Sequence, residues 1–183
     1  MKCSKCMNTA IVSQNYSGMH FCANHEISDI TLKAKKEIRK SGGLASGEKI
    51  FVKGDDNFQT FALRIFLSEL FLNRTDILFV KSEDEAEIIF DSDTLDDVSV
   101  RLFKKVCDGT VDEISRPLKK TVSPLSVIPK DEVLWYAKYH GWKKDCTEIH
   151  DSVTEFLADF QKERPSTLYA LKNVSDELER RIK

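Results

Sequence analysis

The sequence predicts an α/β fold in which a parallel sheet is flanked by helices, with a small metal-binding knuckle at the N-terminus. Short β-prone runs at 49–53, 76–80 and 86–90 alternate with segments of helical periodicity. Strands that alternate with helices are typical of parallel sheets, because each crossover connection places a helix over the sheet. The first 25 residues carry a different signal, two spaced pairs of metal-ligating side chains.

The knuckle contains the pairs Cys3-x-x-Cys6 and Cys22-x-x-His25, with fifteen residues between them. Zinc prefers four tetrahedral thiolate or imidazole ligands, and the intervening length suits a β-hairpin that turns at Tyr16-Ser17-Gly18. We therefore expect a zinc ion bound by these four residues. Four protein ligands leave no open position for water, so the ion is expected to be structural. His20 has a poorer spacing and is interpreted as a surface residue.

A basic amphipathic helix is predicted at 27–40, where Ile27, Ile30, Ala34 and Ile38 recur at helical intervals and Ser41-Gly42-Gly43 ends the pattern. Its cationic residues are candidates for RNA contact: Lys33, Lys35, Lys36, Arg39 and Lys40. A solvated face paired with Glu37 and other acids is an equally good explanation of the same run.

Further helices are predicted at 58–72, after the polar turn Gly54-Asp55-Asp56-Asn57, and at 98–106, after an acidic loop over 91–97. Three more are expected at 130–140, 152–162 and 167–183. The predicted domains are the knuckle (1–26), the basic helix with a linker (27–48), the α/β domain (49–150) and the C-terminal helices (151–183).

Composition excludes some classes of function. A chain of 183 residues has room for one well-cored domain and a small accessory. The net charge of −2 means that any RNA contact must use a local patch. No apolar run approaches the roughly 18 residues of a membrane span, and Met-Lys-Cys-Ser-Lys-Cys does not resemble a signal peptide, so a cytoplasmic protein with reduced thiols is expected.

Several segments, taken in order, resemble one family. They are the N-terminal knuckle, the phrase at 44–52, Thr94-Leu95-Asp96-Asp97, Ser123-Pro124-Leu125 and the stretch at 129–137. Together they resemble the tRNA 2-thiouridine synthetases of the TtuA type, in the PP-loop, or adenine nucleotide α-hydrolase-like, superfamily. The resemblance implies a PP-loop fold and an enzyme that binds ATP, adenylates a tRNA uridine and exchanges oxygen for sulfur, commonly with an iron–sulfur cluster.

The sequence departs from that family where ATP should bind. The family's Ser-Gly-Gly-x-Asp-Ser loop cradles pyrophosphate, and here residues 53–58 retain only its Gly54. Asp55 and Asp56 place two carboxylates where an anion should lie, with Asn57 following them. We therefore treat Gly54, Asp55, Asp56 and Asn57 as a degenerate nucleotide loop and expect no ATP binding of the family's kind.

The cysteines depart from the family as well. No cysteine occurs between Cys22 and Cys107, so the pair that would ligate a cluster is missing, and none follows Cys146, so a C-terminal zinc ribbon is missing too. Cys146 resembles the family's later cluster ligand. We expect no iron–sulfur cluster and interpret Cys107 and Cys146 as ordinary thiols. Asp96 and Asp97 are weak catalytic candidates, and helix N-terminal carboxylates are the other explanation.

Three functions are consistent with these features. The first is a catalytically inactive homologue of tRNA thiolation enzymes that acts as a binding, scaffold or regulatory subunit, with tRNA, an active homologue or a second copy as partner. The second is an active ATP- or metal-dependent tRNA-modifying enzyme with a rebuilt site. Its acidic residues could hold Mg²⁺ or Ca²⁺, or merely form solvated loops: Asp55, Asp56, Asp91, Asp93, Asp96 and Asp97. The third is a simple zinc-containing RNA-binding module.

Overall fold

The computed structural model describes residues 1–111, 118–145 and 151–181. Its strands are β1 (Val12–Gln14), β2 (Met19–Phe21), β3 (Lys49–Lys53), β4 (Leu78–Phe79), β5 (Ile88–Asp91) and β6 (Lys120–Val122). Its helices are α1 (Ala23–Lys40), α2 (Phe58–Leu70), α3 (Leu95–Cys107), α4 (Lys130–Tyr139), α5 (Ser152–Glu163) and α6 (Thr167–Arg181).

The main sheet has four parallel strands in the order β4-β3-β5-β6. In the centre, Ile50 pairs with Ile88 and Val52 with Phe90, so that the carboxyl ends of β3 and β5 lie side by side. Helices pack against this sheet, and the predicted fold class, a parallel sheet flanked by helices, is confirmed. Strand β6 was not predicted, because three residues give too short a run to show a period.

The core is made by the central strands and by α1, α2 and α4. Ile50, Ile88 and Phe90 are fully buried and contact buried side chains of α2 such as Leu63 and Phe66. Strand β5 is an unbroken apolar run because a central parallel strand is buried on both faces. The sheet and its helices thereby fix the positions of the loops that follow β3 and β5.

Several predicted boundaries differ from the observed ones. Helix α1 begins at Ala23, inside the second ligand pair, and not at residue 27. Strand β4 has two residues where five were predicted, since only Leu78 and Phe79 are in register with β3. Helix α3 begins at Leu95, so the predicted acidic loop ends earlier and its last two aspartates are helical.

The knuckle is a small antiparallel hairpin in which β1 pairs with β2. The predicted turn is confirmed, since the N–H of Gly18 donates to the carbonyl of Gln14 at 2.9 Å. Cys3, Phe21 and Cys22 form its buried centre. Within the described ranges, no helix combines the length and the apolar character that crossing a bilayer requires.

Candidate metal centre and the loop after β3

The four predicted ligands converge at one point of the knuckle. The ligand atoms of Cys3, Cys6, Cys22 and His25 all lie within 4.8 Å of one another. His25 Nδ1 is 3.4 Å from Cys3 Sγ and 3.3 Å from Cys22 Sγ, and the sulfur atoms of Cys6 and Cys22 are 3.8 Å apart. Ligands about 2.0–2.3 Å from one tetrahedral ion stand roughly 3.3–3.8 Å from each other, so the residues fit a single metal ion.

Local structure explains the convergence. Cys22 is the N-cap of α1, and its carbonyl accepts hydrogen bonds from the N–H groups of His25 and Glu26, both at 3.0 Å. The second ligand pair therefore occupies the first helical turn. On the other side, Ser4 contacts the His20 backbone through its N–H and its hydroxyl, at 2.7 and 2.9 Å, and holds the first pair against β2.

Without a metal, the thiols of Cys3 and Cys6 have different pKa values. Burial raises the pKa of Cys3, but backbone N–H donors, including those of Lys5 and Cys6, outweigh it and lower that pKa to about 6. At Cys6 a hydrogen bond from the Asn8 backbone lowers the pKa, yet desolvation and the neighbouring thiols Cys3 and Cys22 raise it overall. A bound metal cation favours the thiolate form of every cysteine, so metal binding at this site displaces the thiol protons.

The loop after β3 is held in an unusual conformation at Gly54, whose φ of 140° is in the region that favours glycine. A Cβ there would lie 2.1 Å from Thr60 Oγ1 and 2.9 Å from Ser92 Oγ. Those two hydroxyls hydrogen-bond to each other at 3.1 Å and join the loops that follow β3 and β5. Gly54 is thus required by close packing against two side chains.

The next three residues face a pocket at the N-terminus of α2. It is lined by Gly54, Asp55, Asp56, Asn57, Thr60, Phe61 and Arg64. Asn57 is the N-cap of α2, and its side-chain oxygen accepts from the Thr60 N–H at 2.9 Å. The exposed carboxylate of Asp56 forms an ion pair with Lys144.

Aromatic rings complete the pocket's surroundings. Lys144 Nζ lies 5.5 Å from the centroid of the Trp142 ring, which packs against Phe61 at a centroid distance of 5.4 Å. Sequence reasoning missed both Lys144 and Trp142. The Asp56–Lys144 contact spans 88 residues of sequence, so no local pattern could reveal it.

Asp96 and Asp97 lie in the first turn of α3 and bind backbone and side-chain donors of the protein. Asp97 Oδ2 accepts from the N–H and hydroxyl of Thr94, at 2.8 and 2.5 Å, which forms a capping box. The same oxygen accepts from Gln59 Nε2 at 2.5 Å. Asp96 accepts from the Lys130 N–H at 2.7 Å and ties α3 to α4, while burial raises its pKa to about 6.

Both the N-terminal module and the fold of this chain are similar to those of known proteins. Residues 2–25 match the model of the N-terminal LIM domain of the 2-thiouridine synthetase TtuA. Among solved structures, the U34-tRNA thiolase NcsA from Methanococcus maripaludis, determined with its [4Fe-4S] cluster, matches with a TM-score of 0.84 over 97% of this chain and 88% of that chain. Over residues 2–25, the resemblance to the TtuA-type synthetases is confirmed.

The two matches support different statements. The TtuA-type LIM domain includes all four predicted metal ligands, so sequence and geometry agree on that module. The match to the thiolase has 16% sequence identity and shows a shared fold alone. A comparison with curated protein sequences finds no significant match.

The remaining acidic residues predicted as divalent-ion ligands do not form a second site. Within the described ranges, the TtuA-type LIM residues are the only group with metal-ligand spacing. Asp93 forms an ion pair with Arg101 at 2.5 Å, and Asp91 lies beside it with a pKa that burial raises. The predicted convergence of six carboxylates is therefore wrong. Asp56 and Asp93 are in separate ion pairs, and Asp96 and Asp97 lie in the first turn of α3.

The predicted RNA-contact residues of α1 have different surroundings. Lys33 points inward and contacts Asp29 and Glu132, at 2.7 and 3.5 Å. Lys40 pairs with Glu37 at 3.0 Å and lies 3.7 Å from Asp176. The other three cations remain on the solvent side, Lys35 half-buried and both Lys36 and Arg39 exposed.

Lys33 belongs to a polar junction that sequence reasoning missed. We define the junction as Tyr16, Asp29, Lys33 and Glu132. The hydroxyl of Tyr16 donates to Glu132 at 2.6 Å and accepts from Lys33 at 2.6 Å, so one tyrosine of the hairpin bridges α1 and α4. Burial raises the pKa of Glu132 to about 7, although Lys33 lowers it. The junction attaches the TtuA-type LIM module to the main domain.

Within the described residues, Cys107 adds no ligand to the module. Cys107 is exposed at the last residue of α3, which agrees with its interpretation as an ordinary thiol. Cys146, which resembles the family's later cluster ligand, lies outside the described residues.

Proposed function

We propose that this chain is a non-catalytic relative of the tRNA thiolases that binds tRNA and acts as a binding, scaffold or regulatory subunit in tRNA modification. The observation that carries the proposal is the loop after β3. At the helix terminus where a PP-loop protein holds pyrophosphate, the chain presents the carboxylates of Asp55 and Asp56. A phosphate group entering this pocket would meet like charges at close range.

Two of the groups around the pocket are also occupied, although the cation of Arg64 lines it as well. The side-chain oxygen of Asn57 caps α2, and Lys144, the cation nearest Asp56, is already paired with it. A nucleotide would have to compete with that ion pair for the lysine. These contacts therefore stabilise the loop and the start of α2, and they do not form a preformed binding site for a triphosphate.

The two catalytic candidates support the same proposal. Asp97 caps α3 with three hydrogen bonds, and Asp96 accepts from the backbone of α4. A carboxylate with these partners serves the fold, as the sequence suggested for acids at a helix N-terminus.

The LIM module is proposed to hold zinc. A four-iron cluster binds each protein ligand to a different iron atom, so its thiolates stand farther apart than ligands that share one ion. The Cys6–Cys22 sulfur distance of 3.8 Å fits a shared ion. The set of three thiolates and one imidazole is typical of closed structural zinc sites. Bound there, zinc would supply folding free energy and fix the start of α1.

Contact with tRNA is proposed for the solvent side of α1, through Lys35, Lys36 and Arg39. These residues follow the LIM module directly and form a local basic patch on a chain whose net charge is −2. Phosphate contacts of this kind give salt-dependent affinity that is insensitive to sequence. An active thiolase homologue bound to the same tRNA is the partner expected for a scaffold subunit.

The nucleotide part of the proposal is tested by calorimetry. ATP with Mg²⁺ is titrated into the zinc-loaded chain, first alone and then with tRNA present. No saturable heat is expected in either titration. Saturable binding that is lost in Asn57→Ala, together with tRNA-dependent ATP hydrolysis, would overturn the non-catalytic assignment and establish a rebuilt enzyme site.

The RNA part is tested by tRNA retention at two salt concentrations. We expect the triple variant Lys35→Glu, Lys36→Glu, Arg39→Glu to lose at least tenfold in affinity. The matched control reverses three exposed lysines elsewhere, Lys81→Glu, Lys143→Glu and Lys162→Glu, which changes the net charge equally. Equal losses in both variants would remove α1 as the contact surface, and no retention by the wild type would refute tRNA binding altogether.

A further inference from the structure

Helix α5 buries only half of its apolar face. Its large apolar residues recur at the spacing of a single helix face: Val153, Phe156, Leu157 and Phe160. Val153 and Leu157 pack in a small core with Leu95 of α3 and Leu168 of α6. Phe156 and Phe160 are instead 50% and 45% exposed. The second half of the apolar face therefore points to solvent.

This exposed half continues onto α3. The Phe156 ring stacks on that of Phe103 at a centroid distance of 5.4 Å and on that of Phe160 at 5.8 Å, with interplanar angles of 24° and 22°. Val106, which lies one helical turn after Phe103, is 54% exposed. We call these four residues the α5 patch: Phe103, Val106, Phe156 and Phe160. Contiguous exposed apolar surface of this kind marks interaction sites.

The charges of α5 beside the patch are mainly negative. Three exposed carboxylates form a row along the helix, one in each turn and next to the phenylalanines: Glu155, Asp159 and Glu163. Residues 151–164 contain four carboxylates and two cations. Arg101 and Lys104 of α3 each form an ion pair with an aspartate, at 2.5 and 2.9 Å. A partner for the α5 patch is therefore expected to be positively charged.

We propose that the α5 patch binds a cationic amphipathic helix of another protein. The apolar row of that helix covers the phenylalanine rings, as in other interfaces where an amphipathic helix lies in an apolar groove. Its lysines or arginines, one in each turn, face the carboxylate row of α5, which has the same spacing. This surface gives the chain a protein-binding site that is separate from the basic residues of α1.

The size and charge of the patch favour a helix over two other occupants. Its exposed side chains present on the order of 300 Å². Each copy in a stable dimer buries roughly 800 Å², and a second copy would also bring a second carboxylate row. RNA would bring its phosphates toward the same carboxylates. The apolar stripe of a single helix matches the patch in both respects.

The first test measures peptide binding by fluorescence anisotropy. The zinc-loaded chain is titrated into a labelled helical peptide of about five turns that contains leucine, alanine and lysine, with its leucines along one face. The control peptide has glutamate in place of every lysine. We expect saturable binding of the lysine peptide and at least tenfold weaker binding of the glutamate peptide. Equal affinities, or no binding of the lysine peptide, would overturn the proposal.

The second test locates the binding surface. The double variant Phe156→Gln, Phe160→Gln is expected to lose at least tenfold in affinity for the lysine peptide. The control, Leu78→Gln with Phe79→Gln, changes two apolar residues of β4 that are 49% and 54% exposed, and it should bind normally. Circular dichroism must show both variants folded. If the first does not fold, Phe160→Gln alone takes its place, since Phe160 lies outside the small core. Equal losses in variant and control would refute binding at the α5 patch.

The third test concerns the carboxylate row. Asp159→Asn with Glu163→Gln should weaken binding of the lysine peptide severalfold at low salt and less at high salt, because screening reduces the attraction. Asp84→Asn with Glu85→Gln changes two exposed acids in the loop before β5, alters the net charge equally and should have no effect. The same loss in both variants would show that the whole charge of the chain attracts the peptide and that the row does not.

Two further measurements examine the other occupants, with Phe156→Gln, Phe160→Gln as the variant. Light scattering would give the patch to a second copy if the wild type is a dimer that this variant dissociates. An oligouridine that binds the wild type and not the variant would make the rings a platform for stacked bases. Either result would overturn the proposal. Neither bears on tRNA contact at α1, which the charge reversals of that helix test separately.

Discussion

At the scale of the residue, the role of Gly54 is steric. Its backbone conformation and the hydroxyls of Thr60 and Ser92 leave no room for a side chain. The glycine therefore allows the loops after β3 and β5 to stay in contact.

This role predicts a large effect of Gly54→Ala. We expect a loss of about 3 kcal/mol in unfolding free energy, because backbone strain and a collision with Thr60 add together. Gly47→Ala is the control, since Gly47 has a φ of 85° with open space around its Cβ position and should lose only about 1 kcal/mol. Urea denaturation measures both, and equal losses would contradict the steric role.

Glu132 is the second residue whose surroundings decide its behaviour. Burial holds its pKa at about 7, well above the ordinary value of 4.5, despite attraction from Lys33 and a hydrogen bond from Tyr16. The titratable groups around it are Glu26, Asp29 and Lys33 on α1 and Asp131 on α4. Between pH 4.5 and 7 the folded protein retains a proton that the unfolded chain has released, so unfolding free energy falls as pH rises.

Glu132→Gln should remove that dependence. The wild type is expected to lose roughly 3 kcal/mol between pH 4.5 and 7 from this group, and the variant to lose correspondingly less. Denaturation of the zinc-loaded proteins at several pH values measures the difference, in which contributions from the metal site largely cancel. Parallel curves for the two proteins would show that Glu132 is not the responsible group.

At the scale of the element, α3 depends on its capping box. Asp97 satisfies the Thr94 N–H and also binds Gln59 of α2. We expect Asp97→Ala to lower unfolding free energy by about 1–2 kcal/mol, the usual cost of losing a cap, without changing tRNA retention. Asp108→Ala, at the other end of α3, should have little effect. A specific loss of tRNA retention in Asp97→Ala would instead indicate a functional carboxylate.

The LIM module and α1 form one cooperative element, because the second ligand pair is the first turn of the helix. Removing the metal should therefore disorder the hairpin and the start of α1. We expect a chelator to lower the melting temperature and the helical circular-dichroism signal, and Cys22→Ser to reproduce the effect with chelator absent. His20→Ala, which changes a non-ligand histidine of the same hairpin, is the control. Metal analysis should find one zinc per chain, whereas iron with a visible charge-transfer band would contradict the proposed zinc site.

At the scale of the whole molecule, the chain joins a small metal-binding module to a parallel α/β domain. The parallel sheet flanked by helices and the match of residues 2–25 to the LIM-domain model agree with the resemblance, and Asp56 in the loop after β3 is paired with Lys144. Residues 80–87 join β4 to β5 as turns and bends, without a helix over β4.

The amino-acid sequence alone determined the local features of this protein. Ligand spacing identified Cys3, Cys6, Cys22 and His25, and alternating apolar patterns identified the parallel α/β class, because both signals are encoded within a few residues of one another. The resemblance was carried by short motifs in order. None of these required long-range contacts.

Only the tertiary structure decided which charged residues are free. Lys33 and the acidic loops looked equivalent to other surface charges in the sequence, but Lys33 is held by Tyr16 and Glu132, and Asp56 by Lys144. Such pairs join residues distant in the chain, and their energies depend on burial and on distances that the fold alone sets. The exposure of Phe156 and Phe160 was hidden for the same reason, since an apolar pattern does not reveal whether anything covers it.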